Sequence, residues 1–296
     1  MSVTVAIAEP GQHTEGPHWD HRTNTLLYVD LLDPCVCRWD PVTGERDKLK
    51  IDRSPGCVVP RESGGVVVAA GTKFASLDFR TRQLTTLAEV NHDKPTNIFN
   101  DGKCDAAGRF WSGTMGKDSA FGKFEFGAGS LFCLHTDRSV TKALGGVSIS
   151  NGLAWSPDNT VMYYIDSLLF SVDAFDYDLS TGTPTKRRKV FTFDPATSVP
   201  DGMTIDTDGN LWIALLNSGQ VVQVDPNTGT QLRAVKFPTD RVTSCCFGGP
   251  NLDVLYVTST RVNMSPDQTL QQPLSGCVFQ VTGLGAKGRP GMYYRG

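Results

Sequence analysis

The sequence predicts an all-β fold: a six-bladed β-propeller, four strands to a blade around a central channel, built by residues 1–296 as a single domain. Three observations predict it. Apolar runs are strand-sized and separated by turns rich in Gly, Pro, Asn and Asp, and no amphipathic helix of ten residues or more can be drawn. One strand–turn–strand pattern recurs six times along the chain. Its anchors, Glu15, Gly56, Asn100, Asn151, Asp201 and Ser244, lie 41, 44, 51, 50 and 43 residues apart, which is the period of propeller blades.

Taken in order, the openings are "EGPHWDHRTNTLLYVDL" from Glu15, "PGCVVPRESGGVVVAAGT" from Pro55, "NDGKCDAAGRFWSGTM" from Asn100, "SNGLAWSPDNTVMYYIDS" from Ser150, "PDGMTIDTDGNLWIAL" from Pro200 and "VTSCCFGGPNLDVLYVTS" from Val242. Each has a small or polar start, a short apolar strand, a polar turn, and a second strand rich in aromatic and β-branched residues. The sixth lacks the early glycine and is the weakest match. Between openings lie second hairpins such as "CVCRWDPVTGERDKL" and "VVQVDPNTGTQLRAVKF", turning on Thr-Gly. In the fifth opening Asp208-Gly209 is the tight turn of a hairpin. "DTDGN" there imitates a calcium loop, but the twelfth position of an EF-hand needs Glu and here is Asn217.

The hairpin does not account for Asp201, which stands ahead of its strand. In a propeller the first residues of the innermost strands crowd around one mouth of the channel. Glu15, Asn100, Asn151 and Asp201 all bring oxygen there, with a glycine close behind each for tight backbone approach. Two carboxylates and two amides converging on one point need a cation, a hydrogen-bond network or protons. Oxygen-only donors suit a hard divalent ion, Ca²⁺ foremost, with Mg²⁺ and Mn²⁺ alternatives; Zn²⁺ can also occupy carboxylate sites. The rival reading is that Asp and Asn merely cap turns beside Gly.

Bulk properties exclude other classes. The 28 basic and 31 acidic residues are scattered and give a net charge of −3, so nothing predicts a nucleic-acid partner. The opening "MSVTVAIAEPGQ" has neither the basic nor the apolar region of a secretory signal, and no apolar run reaches membrane-helix length. Eight cysteines, including "CVC" and "CC", match no zinc or disulfide framework and read as free buried thiols of a cytoplasmic protein. No phosphate-binding loop, dinucleotide fingerprint or serine-nucleophile elbow is present, and the five histidines are dispersed. The even charge predicts no more than a monomer or weak dimer.

At "NDGK", "SNGLAWS", "YYIDS", "VDAFDYDLSTG", "PDGM", "TSCCFGG" and "VTGLGAKG" the chain resembles the senescence marker protein, gluconolactonase and luciferin-regenerating enzyme family, from about Glu15 to Gly288. The resemblance implies a six-bladed propeller with one divalent metal near the channel mouth, held by Glu15, Asn151 and Asp201. It implies that Asn100 contacts substrate or metal-bound water, and that the substrate is a small lactone or ester. We expect Asp201 to act as general base as well as ligand. Two positions depart from the sugar-lactone pattern. Ile98 stands where an Arg that binds polar substrate oxygens is usual, and Asp118 is the acidic residue available downstream of Met115. Met115 to Gly129 reads as a lid over the substrate. Ile98 adds apolar surface and points to a less polar lactone or ester. Two alternatives share the ligand set: a non-catalytic Ca²⁺-binding regulatory protein, and a luciferin-pathway or other esterase-like enzyme.

Overall fold

The computed structural model describes residues 1–117, 122–123 and 125–296. Its strands form six four-stranded antiparallel sheets, each an up-and-down meander, which are the six predicted blades. Blades one to five span Thr14–Lys50, Pro55–Glu89, Ile98–Val147, Ser150–Thr192 and Val199–Lys236. The sixth is assembled from both ends of the chain. Its inner strand is Val242–Gly248, followed by Val254–Ser259 and Val278–Thr282, and its outer strand is Ser2–Ile7, paired from Ser2 opposite Thr282 to Ile7 opposite Val278. The sole α-helix among the described residues is the six-residue Pro266–Gln271, with Ser265 and Gln268 forming a capping box. No helix is long and apolar enough to cross a membrane.

A sheet with two apolar faces must bury both, and here neighbouring blades do that for each other. The buried apolar residues fall into six main clusters, one between each adjacent pair of blades. Between blades five and six, Trp212 meets Phe247 edge to face, with ring centroids 5.5 Å apart. Between blades six and one, Trp19 stacks on Tyr256 at 5.5 Å. All eight cysteines are free and buried in such seams; Cys35 and Cys37, with sulfurs 3.7 Å apart, fill the seam between blades one and six.

Aspartates at the first turns staple blades internally. Asp206 is fully buried and accepts from Trp212 Nε1 at 2.9 Å, Gln223 Nε2 at 2.8 Å, and the backbone N–H groups of Asp208 and Asn210 at 3.0 and 2.8 Å. "DTDGN" is therefore a hairpin turn whose carboxylate is saturated by protein donors. Asp105 takes Trp111 Nε1 and Arg109 Nε within blade three and also ties that blade to blade four through Tyr177 Oη.

The six inner strands, Thr14–Asp20, Pro55–Pro60, Ile98–Cys104, Ser150–Trp155, Val199–Ile205 and Val242–Gly248, surround the channel and all run the same way along it. Every one is bulged near its start: the register slips between Glu15 and His18, Pro55 and Cys57, Phe99 and Gly102, Ser150 and Leu153, Pro200 and Met203, and Val242 and Cys245. Asp201 thus stands inside its strand, at a bulge, and not ahead of it as the sequence suggested. A bulge re-aims a side chain that the regular pleat would send into a blade seam. The glycines at these bulges let inner strands touch; a methyl on Gly202 would overlap Ser244 Oγ, and one on Gly56 would overlap the Asn100 carbonyl.

Candidate metal centre

Glu15, Asn100, Asn151 and Asp201 are brought to one pocket at the first mouth of the channel, of about 790 Å³ including the part that opens to solvent. All four are buried, at 2–7% exposure. The bulges aim them inward, and the neighbours that hold them are few. Glu15 Oε2 accepts from the N–H of Gly16 at 2.9 Å. Asn100 Nδ2 donates to the Ser150 carbonyl at 2.8 Å, which fixes its amide plane against the next blade. Asn151 Nδ2 donates to Ser167 Oγ at 2.9 Å, while its Oδ1 is buried with no partner among the described residues.

The electrostatics are those of a site short of positive charge. Burial, then the carboxylates of Asp201 and Asp101, push the Glu15 carboxyl well above its ordinary value, against the Gly16 N–H and Thr243. Burial and Asp101 do the same to Asp201, partly opposed by the Asn151 amide. Two buried acids that resist ionisation beside an amide oxygen with nothing to accept from form a donor set that fits a divalent cation. No three His, Cys, Asp or Glu side chains among the described residues converge as a metal cluster. The set here has two carboxylates and completes itself with amide oxygen.

The other expected residues are placed as follows. Met115, the last residue of Phe110–Met115, lines the pocket. Ile98 pairs directly opposite Met115 and is buried in a small cluster with Met115 and Leu31, against which Ile149 packs; Met115 and Ile149 line the pocket. Asp118 lies outside the described residues, as does part of the Met115–Gly129 segment; Gly122 of that segment lines the pocket.

Two residues that the repeat did not single out matter here. Asp101 is buried just below Asn100, accepts from Gly102 N–H at 2.7 Å, and has its carboxyl raised by burial, with Lys103 opposing. The glycine of "NDG" follows Asp101, as that of "EG" follows Glu15, and this was the signal. Arg241 lines the same pocket from the opening of blade six, its side chain 15% exposed. Its Nη1 donates to the Val262 carbonyl at 3.1 Å, and its Nε lies 3.3 Å from Asp240. A cation therefore faces the pocket although Ile98 replaces the expected one.

A family model described as SMP-30/Gluconolactonase/LRE-like region matches residues 13–261. The chain belongs to that family. Its relatives include proteins named regucalcin from Danio rerio and Homo sapiens, each 46% identical over 296 residues, covering 100% of this chain and 99% of theirs. Among solved structures, a luciferin-regenerating enzyme aligns with TM-score 0.91 at 35% identity, covering 99% of this chain and all of its own. A calcium-binding protein, regucalcin, from Agrobacterium tumefaciens aligns with TM-score 0.93 at 28% identity, covering 99% and 97%. A gluconolactonase from Xanthomonas campestris, 20% identical with TM-score 0.75, shares the fold. The family thus joins proteins named for calcium binding with proteins named as enzymes, on one propeller.

Proposed function

We propose that the protein is a metal-dependent hydrolase of the gluconolactonase type, opening the ring of a small lactone or related ester at the first mouth of the channel. The observation that carries this reading is the unpartnered Asn151 oxygen beside two buried carboxylates in a pocket that also has room for a substrate. Glu15, Asn151 and Asp201 would hold the metal, Ca²⁺ foremost, with Mn²⁺, Mg²⁺ and Zn²⁺ compatible with the same oxygens. A bound divalent cation supplies an electrophile for the lactone carbonyl oxygen and lowers the pKa of water.

The chain's own residues do the rest. Asp201, a carboxylate that burial makes reluctant to lose its proton, takes the proton of the attacking water and returns it to the ring oxygen as the C–O bond breaks. Asn100, pinned by its bond to Ser150, presents its amide oxygen to water or substrate. Met115, Ile149, Val199 and Leu216 form an apolar wall against the substrate ring, and Arg241 faces its polar oxygens. One wall apolar and one cationic suits a lactone with a hydrocarbon edge and a few polar substituents. We place the protein in a reducing compartment, where eight unpaired thiols are at home.

A second reading has support of its own: relatives bear the name regucalcin and one is described as calcium-binding, which suits a non-catalytic regulator. The pocket beside the donors favours the enzyme. Turnover of a panel of sugar and alkyl lactones by chelator-stripped protein, with Ca²⁺, Mn²⁺, Mg²⁺ or Zn²⁺ added back singly, separates the two. Metal-restored turnover supports the hydrolase; tight metal binding with no turnover of any lactone rejects it for the regulator.

A further inference from the structure

Every inner strand runs away from the mouth that gathers Glu15, Asn151 and Asp201, so the last residues of the inner strands meet at the opposite one. There the chain encloses a second pocket of about 690 Å³, counting the part open to solvent. Its roof is the C-terminal segment. That segment crosses the mouth between two anchorages. Lys287 O accepts from Thr207 N and Gly288 N donates to Leu252 O on blades five and six; Tyr294 N donates to Pro60 O and Arg295 N to Gly108 O on blades two and three.

The wall has an unusual composition. Its charged residues are Lys103 and Arg289, and it contains no Asp or Glu. Lys103 Nζ spends one donor on the Met203 carbonyl at 2.7 Å, and Arg289 Nη1 reaches the Ser156 carbonyl at 3.3 Å. Of the acids nearby, Asp20 is held by Arg22 N–H and Tyr293 Oη, and Asp101, which accepts from Gly102 N–H and feels the charge of Lys103, lies outside the wall. Three buried wall residues, His18, Trp19 and Trp155, at 6, 2 and 6% exposure, each keep a ring nitrogen without a partner among the described residues. An unsatisfied buried polar atom, donor or acceptor, is costly, and native proteins tolerate few. Here half of all such atoms among the described residues, three of six, stand in the wall of one pocket.

We propose that this second mouth binds a small organic monoanion, a carboxylate on an apolar body, held by Arg289 and Lys103 in a wall that is otherwise mostly apolar. Pro17, Ile205, Phe247, Pro290 and Met292 supply the apolar surface that such a body needs. A multiply charged anion with no apolar part fits less well, because two cations are set in a mostly apolar wall. The proposal is independent of the chemistry at the first mouth.

The test uses the full chain with sodium benzoate as probe. Calorimetric titration reads affinity, and the indole N–H resonances of the five tryptophans read location. We expect saturable 1:1 binding that shifts two indole resonances, one of them absent from Trp155→Phe. Affinity should fall about tenfold or more in Arg289→Met, the loss expected of a charge-assisted contact, and stay unchanged in Asp201→Asn. Arg289 lies on the half-exposed C-terminal segment, so its variant should fold, and the resonance shifts in wild-type protein need no variant. Absence of saturable binding overturns the proposal. So does binding that Asp201→Asn weakens while Arg289→Met does not, since the probe would then occupy the first mouth.

Discussion

Replacing Asn151 by Ala should leave the metal-free protein almost as stable as before while removing most of what metal adds. Its Oδ1 is buried without a partner among the described residues, and such a group costs about 1–3 kcal/mol. Deleting it recovers that cost, and the recovery offsets the bond lost to Ser167 Oγ and the packing of a small side chain. With metal bound the same oxygen is a ligand. A hydrogen bond to a charged group is worth about 1.5–3 kcal/mol, and a cation contact is no weaker, so affinity should fall about 100-fold. Metal at 100 times the wild-type Kd stabilises by about 2.7 kcal/mol; for the variant the same concentration gives about 0.4. At about 2.1 cal/mol/K per residue, 296 residues have an unfolding entropy of about 0.62 kcal/mol/K. The melting increment should therefore drop from about 4 °C to under about 1 °C by scanning calorimetry. A variant that keeps an increment of about 3 °C or more would refute Asn151 as a ligand.

Other consequences are as direct. Asp201→Asn should lower lactone turnover at least about 1,000-fold while the circular dichroism stays native, since it removes both a ligand charge and the proton acceptor. The increment in melting temperature that metal gives should grow between pH 5 and 8. Raised carboxyls at Glu15 and Asp201 hold protons in the metal-free native state that the unfolded chain has lost, so that state loses stability as pH rises from the ordinary carboxylate range upward. His18, whose pKa burial depresses to about 3, acts oppositely but equally with and without metal, so it cancels in the difference; an increment that shrinks with pH contradicts the assignment. Asp206→Ala should cost about 3–5 kcal/mol, or about 5–8 °C, because it strands the donors of Trp212 and Gln223. Arg241→Met should lower kcat/KM for sugar lactones about tenfold more than for alkyl lactones; equal losses would mean that the guanidinium does not face the substrate.

What the sequence revealed and what it hid have physical reasons. Blade number and the clustering of Glu15, Asn100, Asn151 and Asp201 were legible because each opening repeats a local pattern, and a closed ring of repeats puts equivalent positions at equivalent places. The bulges were not legible: nothing in "PDGM" states that its register slips, so Asp201 read as lying outside its strand. Ile98 was read as a substrate-facing residue; its burial against Met115 and Leu31 is set by cross-strand pairing and packing that the local motif does not state. Arg241 belongs to the weakest repeat, where no motif drew attention to it. The partner of Ser2–Ile7 and the crossing of the C-terminal segment are long-range choices that local periodicity does not encode.

The borrowing of the first strand by the last blade has a consequence for how the chain is made. Val3 and Val5 find their partners Val281 and Phe279 only after some 275 further residues have been synthesised. At about 5–20 residues per second that is roughly 15–55 s during which the leading segment is an unpaired β-edge while the blades accumulate as an open arc. A ribosome pausing late in the message holds an incomplete circle with two apolar flanks, one on blade one and one on blade five. Each flank is complementary to blade six, whose three inner strands, Val242–Gly248, Val254–Ser259 and Val278–Thr282, follow blade five in the chain, and so a second nascent copy offers no early substitute for it.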